Sequence, residues 1–238
     1  MELSLLSSYK NIFSNDLLSI PEQKMMINTI NAHSFNLACT DKVFNSSLHA
    51  SHILLPDGIS IVWALRLITG KKLRKIAGLD LFMVEMERIN QTNGKCFFLG
   101  SSPQVLESIT KRAKKEFPQA QVFTYSPPYK AIFTEEDTQT MIAEINKVQP
   151  AALFIGMTAP KQEKWAFENF NKLNALHICS IGAVFDFYAG NIKRAPGWVI
   201  KIGFEWCYRL MAEPKRLWRR YLIGNIIFLR SVLKEKWG

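Results

Sequence analysis

Six short apolar runs, at residues 26–30, 52–55, 96–99, 121–124, 151–155 and 177–181, alternate with longer stretches in which apolar residues recur every three or four positions. Runs of that length suit buried strands, and the spacing between them suits helices that bury one side. Over residues 103–117, Val105, Ile109 and Ala113 share such a face, with Lys and Glu on the other, after a turn at Gly100, Ser101, Ser102 and Pro103. Met141, Ile142 and Ile145 repeat the arrangement over 135–147. Strand, helix, strand in succession predicts an α/β fold: a mainly parallel sheet flanked by crossover helices.

With 238 residues, 48% of them apolar, the chain is long enough for one sizeable core and an appendage. Trp, Arg and Lys become dense after Gly190, which puts the boundary near Pro196: a core over 1–195 and a basic helical appendage over 196–238. Residues 191–238 carry eleven Lys or Arg against three Asp or Glu, most of the net charge of +10. An anionic partner is therefore expected at the C-terminal fifth. Cys39, Cys96, Cys179 and Cys207 are widely spaced in apolar surroundings, as thiols in a reducing cytoplasm would be. The N-terminus lacks the charged and apolar regions of a signal peptide. No run reaches the roughly 18 apolar residues of a membrane span, because the longest candidate, from Tyr221 to Leu229, stops at Arg230. The expectation is a soluble or peripheral protein.

In parallel α/β sheets, ligands bind beyond the carboxyl ends of the strands, so polar residues just after apolar runs are the first candidates. Residues 52–55 deliver Pro56, Asp57 and Gly58, a carboxylate on a stiff turn whose glycine admits a close ligand. Asp57 suits a general base taking a proton from an attacking hydroxyl, or equally a cap for the helix that follows. Thr29 and Asn31, ending another run, offer a hydroxyl and an amide for sugar or phosphate oxygens, or for a helix cap. Residues 151–155 lead through Gly156 to Pro160, Lys161, Gln162 and Glu163. Helix N-terminal amides with Lys161 suit a diphosphate, and Gln162 and Glu163 suit sugar hydroxyls; the plainer account is a proline in a first helical turn followed by solvated charges. After residues 178–181 come Asp186 and Arg194, both candidates for substrate binding; Asp186 suits orienting a ligand, and an ion pair with Arg194 or Lys193 is the plainer account.

Missing motifs narrow the field. There is no GxGxxG dinucleotide loop and no GxxxxGK[ST] phosphate loop, and no Asp-x-Asp pair to hold a nucleotide-bound cation. His33, His49, His52 and His177 are scattered and read as structural, so no metal site is expected.

The tail over 216–234, taken as one helix at about 100° per residue, gathers Arg216, Arg219, Arg220, Arg230 and Lys234 on one side. Leu217, Trp218, Leu222, Phe228, Val232 and others fill the opposite side, with Ile223 and Ile227 falling on the basic one. A basic, aromatic amphipathic helix suits an anionic bilayer surface. An ordinary helix packed on the core is the plainer reading, and Glu205 with Arg209 is a simple helical pair. Nucleic acid would account for the arginines but leaves the clusters at Asp57 and at Lys161 to Glu163 without a purpose.

The ordered set of these residues resembles the WecG/TagA/CpsF glycosyltransferases, family 26, from about Thr29 to Tyr221. The likeness is carried by Thr29, Asn31 and Ala32; by Leu55, Pro56, Asp57 and Gly58; by Gly78 and Asp80; and by Phe97, Phe98, Leu99 and Gly100. It continues through Pro127, Pro128 and Tyr129, Gly156 with Pro160 to Glu163, Gly182 with Phe185 and Asp186, and Arg194 with Pro196. Glu205, Trp206, Tyr208, Arg209, Pro214, Arg216, Arg220 and Tyr221 complete it. The resemblance implies a Rossmann-like core and inverting transfer from a UDP-sugar, without an obligatory metal or other cofactor. The implied acceptor is a polyprenyl-diphosphate-linked saccharide in bacterial surface polysaccharide synthesis, and the implied donors are N-acetylmannosamine, its uronic acid or a related hexose. It makes Asp57 the base, with Thr29 and Asn31 beside it, Gln162 and Glu163 ligand contacts, and the tail a membrane appendage whose Arg209, Arg216 and Arg220 reach a diphosphate. The expected place of action is the inner face of the cytoplasmic membrane, with lipid rather than nucleic acid as partner and a homo-oligomer possible. A binding protein without catalysis is the alternative.

Overall fold

The computed structural model describes residues 6–13 and 15–238. Among them, six strands form one parallel sheet: β1 (Met25–Ile30), β2 (Ile53–Pro56), β3 (Lys95–Gly100), β4 (Gln121–Tyr125), β5 (Ala152–Gly156) and β6 (His177–Ser180), in the order β2-β1-β6-β5-β3-β4. Every apolar run of the sequence became a strand, displaced by no more than a residue or two at either end. Continuous apolar runs are what a sheet covered on both faces requires, since alternate side chains must all leave water. In register, Ile27 lies between Ile53 and Cys179, and Phe98 pairs with Phe154.

The crossovers are α1 (Ala32–Ala38), α2 (Lys42–His49), α3 (Ile59–Thr69), α4 (Gly78–Gln91), α5 (Pro103–Glu116), α6 (Glu135–Val148) and α7 (Lys161–Asn169), and α8 (Val184–Ala189) follows β6. Local chemistry sets their starts. Ser102 caps α5 with Pro103 in its first turn, and Thr134 with Asp137 forms a reciprocal capping box on α6. On one face of the sheet, Ile27, Phe98 and Phe154 pack with Phe82, Ile109 and Phe185 of α4, α5 and α8. On the other, Phe97 and Leu153 meet Ile145 and Trp165 of α6 and α7. Further along that second face, Ile30 and Leu54 meet Phe35 of α1 and Ile61 of α3. Gly156 is obligatory in this packing, because a Cβ there would lie 2.4 Å from the Phe185 ring.

The tail continues as α9 (Gly197–Lys201), α10 (Glu205–Ala212), α11 (Pro214–Trp218), a π-helical turn (Arg219–Ile223) and α12 (Gly224–Trp237). The single regular helix expected over 216–234 is corrected here. The Gly224 amide reaches back to the Arg219 carbonyl, and this wider turn shifts the phase of everything after it. Leu217, Phe228 and Val232 turn inward, whereas Leu222, Ile223, Ile226 and Leu229 are left exposed. Phe228 stacks edge-on against Phe35, and Asn36 Nδ2 donates to the Gly224 carbonyl at 2.7 Å, so α12 is fastened to α1. At the far end, the Glu235 carboxylate accepts from the Leu6 and Ser7 amides. Among the described residues, no helix is long and apolar enough to cross a membrane.

Candidate active site

The chain passes from β1 to β2 on one side and then crosses to β3, β4 and β5 on the other, with β6 filling the gap beside β1. Beyond the carboxyl ends of these strands lies a cavity of about 270 Å³, walled by Asn31, Asp57, Gly58 and Ala183 and closed by the C-terminal segment. Asp57 follows β2 directly, its amide still bonded to the Ile30 carbonyl at 2.8 Å, so the sheet itself holds this residue. Gly58 then adopts φ 126°, a conformation that side chains disfavour, and opens α3. Asn31 is both cap and wall. Its Oδ1 accepts from the amides of His33 and Ser34, and its own amide donates to Ser34 Oγ, which leaves the side-chain NH2 to the cavity.

Charge arrives from distant parts of the chain. Lys75 comes from the segment that folds back over β2, where the Ile76 amide bonds to the Pro56 carbonyl. Arg194 comes from the segment just before the tail, and Glu205, Trp206, Arg209, Arg220 and Tyr221 come from the tail. Lys75 Nζ lies 2.5 Å from Glu205 Oε2, and Arg194 lies 3.5 Å from Glu205 Oε1 and 3.6 Å from Asp80. Arg209 sits over the Phe187 ring and Arg220 beside Tyr221, and the Nε atoms of both arginines are buried without a hydrogen-bond partner. Two guanidinium donors enclosed and unanswered describe a site for an anion.

Burial pushes the Asp57 carboxyl up to about 6; Lys75 and Arg209 draw it down, while Glu205 and Asp80 raise it. Such a group is ionised at neutral pH yet retains the proton affinity of a base. Burial, with Arg220 close by, pulls His33 down to about 4, so its ring is neutral there. Glu205 is held below the ordinary carboxylate value, against the effect of its burial, by the Lys75 hydrogen bond and by the charges of Lys75, Arg194 and Arg209.

The structure thus brings Asp57, Gly58, Asn31, Arg194, Arg209 and Arg220 together. Thr29 lies on β1 in register with Leu55, short of the cavity wall. Lys161, Gln162, Glu163 and Asp186 are outside it. Lys161 Nζ donates to the Lys130 carbonyl and lies over the Phe133 ring. Gln162 bridges the Met157 amide and the Glu163 carboxylate beneath Gly182, and Glu163 Oε2 is buried with no partner. The anticipated Asp186–Arg194 ion pair is replaced, because Asp80 and Glu205 reach the guanidinium instead. Arg216 pairs outward with Glu213, and Arg219 lies over Trp218. Nothing in the sequence singles out Lys75, and His33 and Glu205 read there as structural. For Glu205 the available signal was its place beside Trp206 and Arg209 in the family-like pattern.

Comparison with known proteins gives the family. Residues 9–238 match the glycosyl transferase WecG/TagA/CpsF family. An N-acetylglucosaminyldiphosphoundecaprenol N-acetyl-beta-D-mannosaminyltransferase of Bacillus subtilis (strain 168) is 31% identical over 213 residues, 89% of this chain and 80% of that protein. Proteins of the same name from Bacillus spizizenii and Staphylococcus aureus (strain NCTC 8325 / PS 47) are 32% and 25% identical, over 81% and 98% of this chain and 72% and 88% of theirs. The chain belongs to the WecG/TagA/CpsF family and is a glycosyltransferase.

Proposed function

We propose that this glycosyltransferase moves N-acetylmannosamine, its uronic acid or a related hexose from a UDP-sugar to a polyprenyl-diphosphate-linked saccharide, with inversion. The observation that carries the reading is the pair of unpartnered Nε–H groups, on Arg209 and Arg220, in the same cavity as Asp57. Both substrates of such a transfer carry a diphosphate, and the Bacillus and Staphylococcus relatives are named for a diphosphate-linked acceptor.

Asp57 takes the proton of the acceptor hydroxyl as its oxygen bonds to the anomeric carbon. The bond from that carbon to the UDP oxygen breaks on the opposite side, and UDP leaves with the electron pair. Arg209, Arg220, Lys75 and Arg194 supply positive charge for a diphosphate, work that a cation performs in enzymes with paired carboxylates. Asn31 contributes its NH2 to a sugar or phosphate oxygen.

The acceptor's lipid chain sets the place of action. Trp198, Phe204, Met211, Ile226 and Leu229 are exposed along the tail, and basic residues lie among them in sequence, a composition suited to anionic lipid on the inner face of the membrane. The test is UDP release across a panel of UDP-sugars, with and without a polyprenyl-diphosphate-GlcNAc analogue. Acceptor-dependent release from one donor, persisting in EDTA, is expected. Release that stops in EDTA would overturn the cation-free mechanism, and transfer from a differently activated sugar would overturn the UDP donor.

A further inference from the structure

Glu205 is the sole carboxylate that the tail contributes to the cavity wall among the described residues. It reaches Lys75, from the segment that folds back over β2, and Arg194, from the segment before α9. Its position at the first residue of α10 fixes it relative to Arg209, one turn further along the same helix. Asp57, by contrast, joins no ion pair among the described residues, although Lys75 and Arg209 both act on its charge.

We propose that Glu205 is a positioning residue: by gripping Lys75 and Arg194 it locks the tail over the cavity and keeps those cations off the Asp57 carboxylate. The inference rests on Asp57 as the base. An unrestrained ammonium beside a half-buried carboxylate would pair with it, and a paired carboxylate is a poor proton acceptor. Glu205 occupies the ammonium instead, and adds its own negative charge nearby.

The groups facing Asp57 come from every surrounding element. They are His33 from α1, Lys75 before α4, Asp80 on α4, Arg194 before α9, Glu205 and Arg209 on α10, and Arg220 in the π turn. Glu205 touches two of the four cations directly and presents a third, Arg209, on its own helix. Its removal therefore releases positive charge toward Asp57 from two directions at once. The direct loss of its negative charge acts in the same sense.

The decisive measurement is the titration of the Asp57 carboxyl by carbon NMR in the full chain labelled with 13C-aspartate, assigned with Asp57→Asn. Glu205→Gln should move the midpoint to lower pH, Glu205→Asp should move it less in the same direction, and Lys75→Met should move it upward. Transfer by Glu205→Gln should fall on the order of tenfold in kcat, with the acid limb of kcat/KM displaced to lower pH. A clasp that merely stiffened the fold would lower the rate and leave the midpoint in place, and that result overturns the proposal. If Glu205→Gln does not fold, Glu205→Asp decides by the same criterion. Full activity in Asp57→Asn would instead remove the base itself, an outcome distinct from an unmoved midpoint.

Discussion

The ends of β2 and β5 read alike in sequence, each a buried run released into a proline and a group of polar side chains, yet the fold uses them in opposite ways. At β2 the carboxylate of Asp57 opens onto a cavity whose far wall is built from the tail. At β5 the amide of Gln162 and the carboxylate of Glu163 turn inward, where Gln162 donates to Glu163 and accepts from the Met157 amide. The difference lies in what covers each strand end. Gly58 and the departing α3 leave room above Asp57, whereas Gly182 and its neighbouring turn close over Gln162. A polar cluster after a strand is thus a site only if the rest of the chain leaves it uncovered.

The sharpest way to break this contrast is substitution at its two poles. Asp57→Asn should lower transfer by on the order of 10³-fold with the melting temperature nearly unchanged, as expected for loss of a general base. Calorimetry and UDP release on one preparation would check both halves. Loss of the tail wall should cost stability next: Phe228→Ala removes the ring seated on Phe35 and should destabilise the fold by about 3–5 kcal/mol, read by urea unfolding. A tail that merely rests on the core would melt unchanged.

Within the tail, inward and outward arginines should separate. Arg220→Ala should raise the acceptor KM by roughly 10- to 100-fold, the worth of a charge-assisted hydrogen bond, while Arg216→Ala, which loses only an outward pair with Glu213, should change it less than about threefold. The pH profile carries the same message. Because the Asp57 carboxyl lies at about 6, kcat/KM should fall roughly tenfold per unit below that pH and be flat above it to neutrality.

The smallest effect belongs to Glu163. Burial pushes its carboxyl up to about 7 from an ordinary 4.5, so the folded state keeps a proton that the unfolded state gives up. Stability therefore falls as pH rises from 4.5 to about 7 and stays lower beyond. Glu163→Gln carries no such charge, and should be more stable than the parent at pH 8 by about 1–3 kcal/mol but not at pH 4. A variant that instead loses transfer with unchanged stability would return Glu163 to the list of ligand contacts.

The central strands were legible because burial on both faces writes them as apolar runs, and Phe97, Phe98 and Leu99 need no partner to be recognised as such, whereas β4, at the sheet edge, is largely exposed. Asp57 and Asn31 were legible as well, since strand ends are where α/β folds place their chemistry. Lys75 and Glu205 were not. Their meaning is a contact across 130 residues of chain, and nothing local to either residue marks it. The tail misled for a different reason: a projection at constant pitch puts Leu222 and Leu229 on the apolar side and cannot anticipate the wider turn at Arg219–Ile223, and both leucines are exposed. Physical periodicity is reliable only as far as the hydrogen-bond ladder is uniform.

The strand order carries a consequence for synthesis. β6, the last strand made, is the one that joins the β1–β2 pair to β5, β3 and β4. Until about residue 180 has left the ribosome, the growing chain holds two separate strips of sheet whose facing edges have no partner. Closure then depends on contacts between parts of the chain made far apart in time, a topology that folds slowly. Arg209 and Arg220 emerge later still, so the nascent chain carries Asp57 long before the arginines that share its cavity.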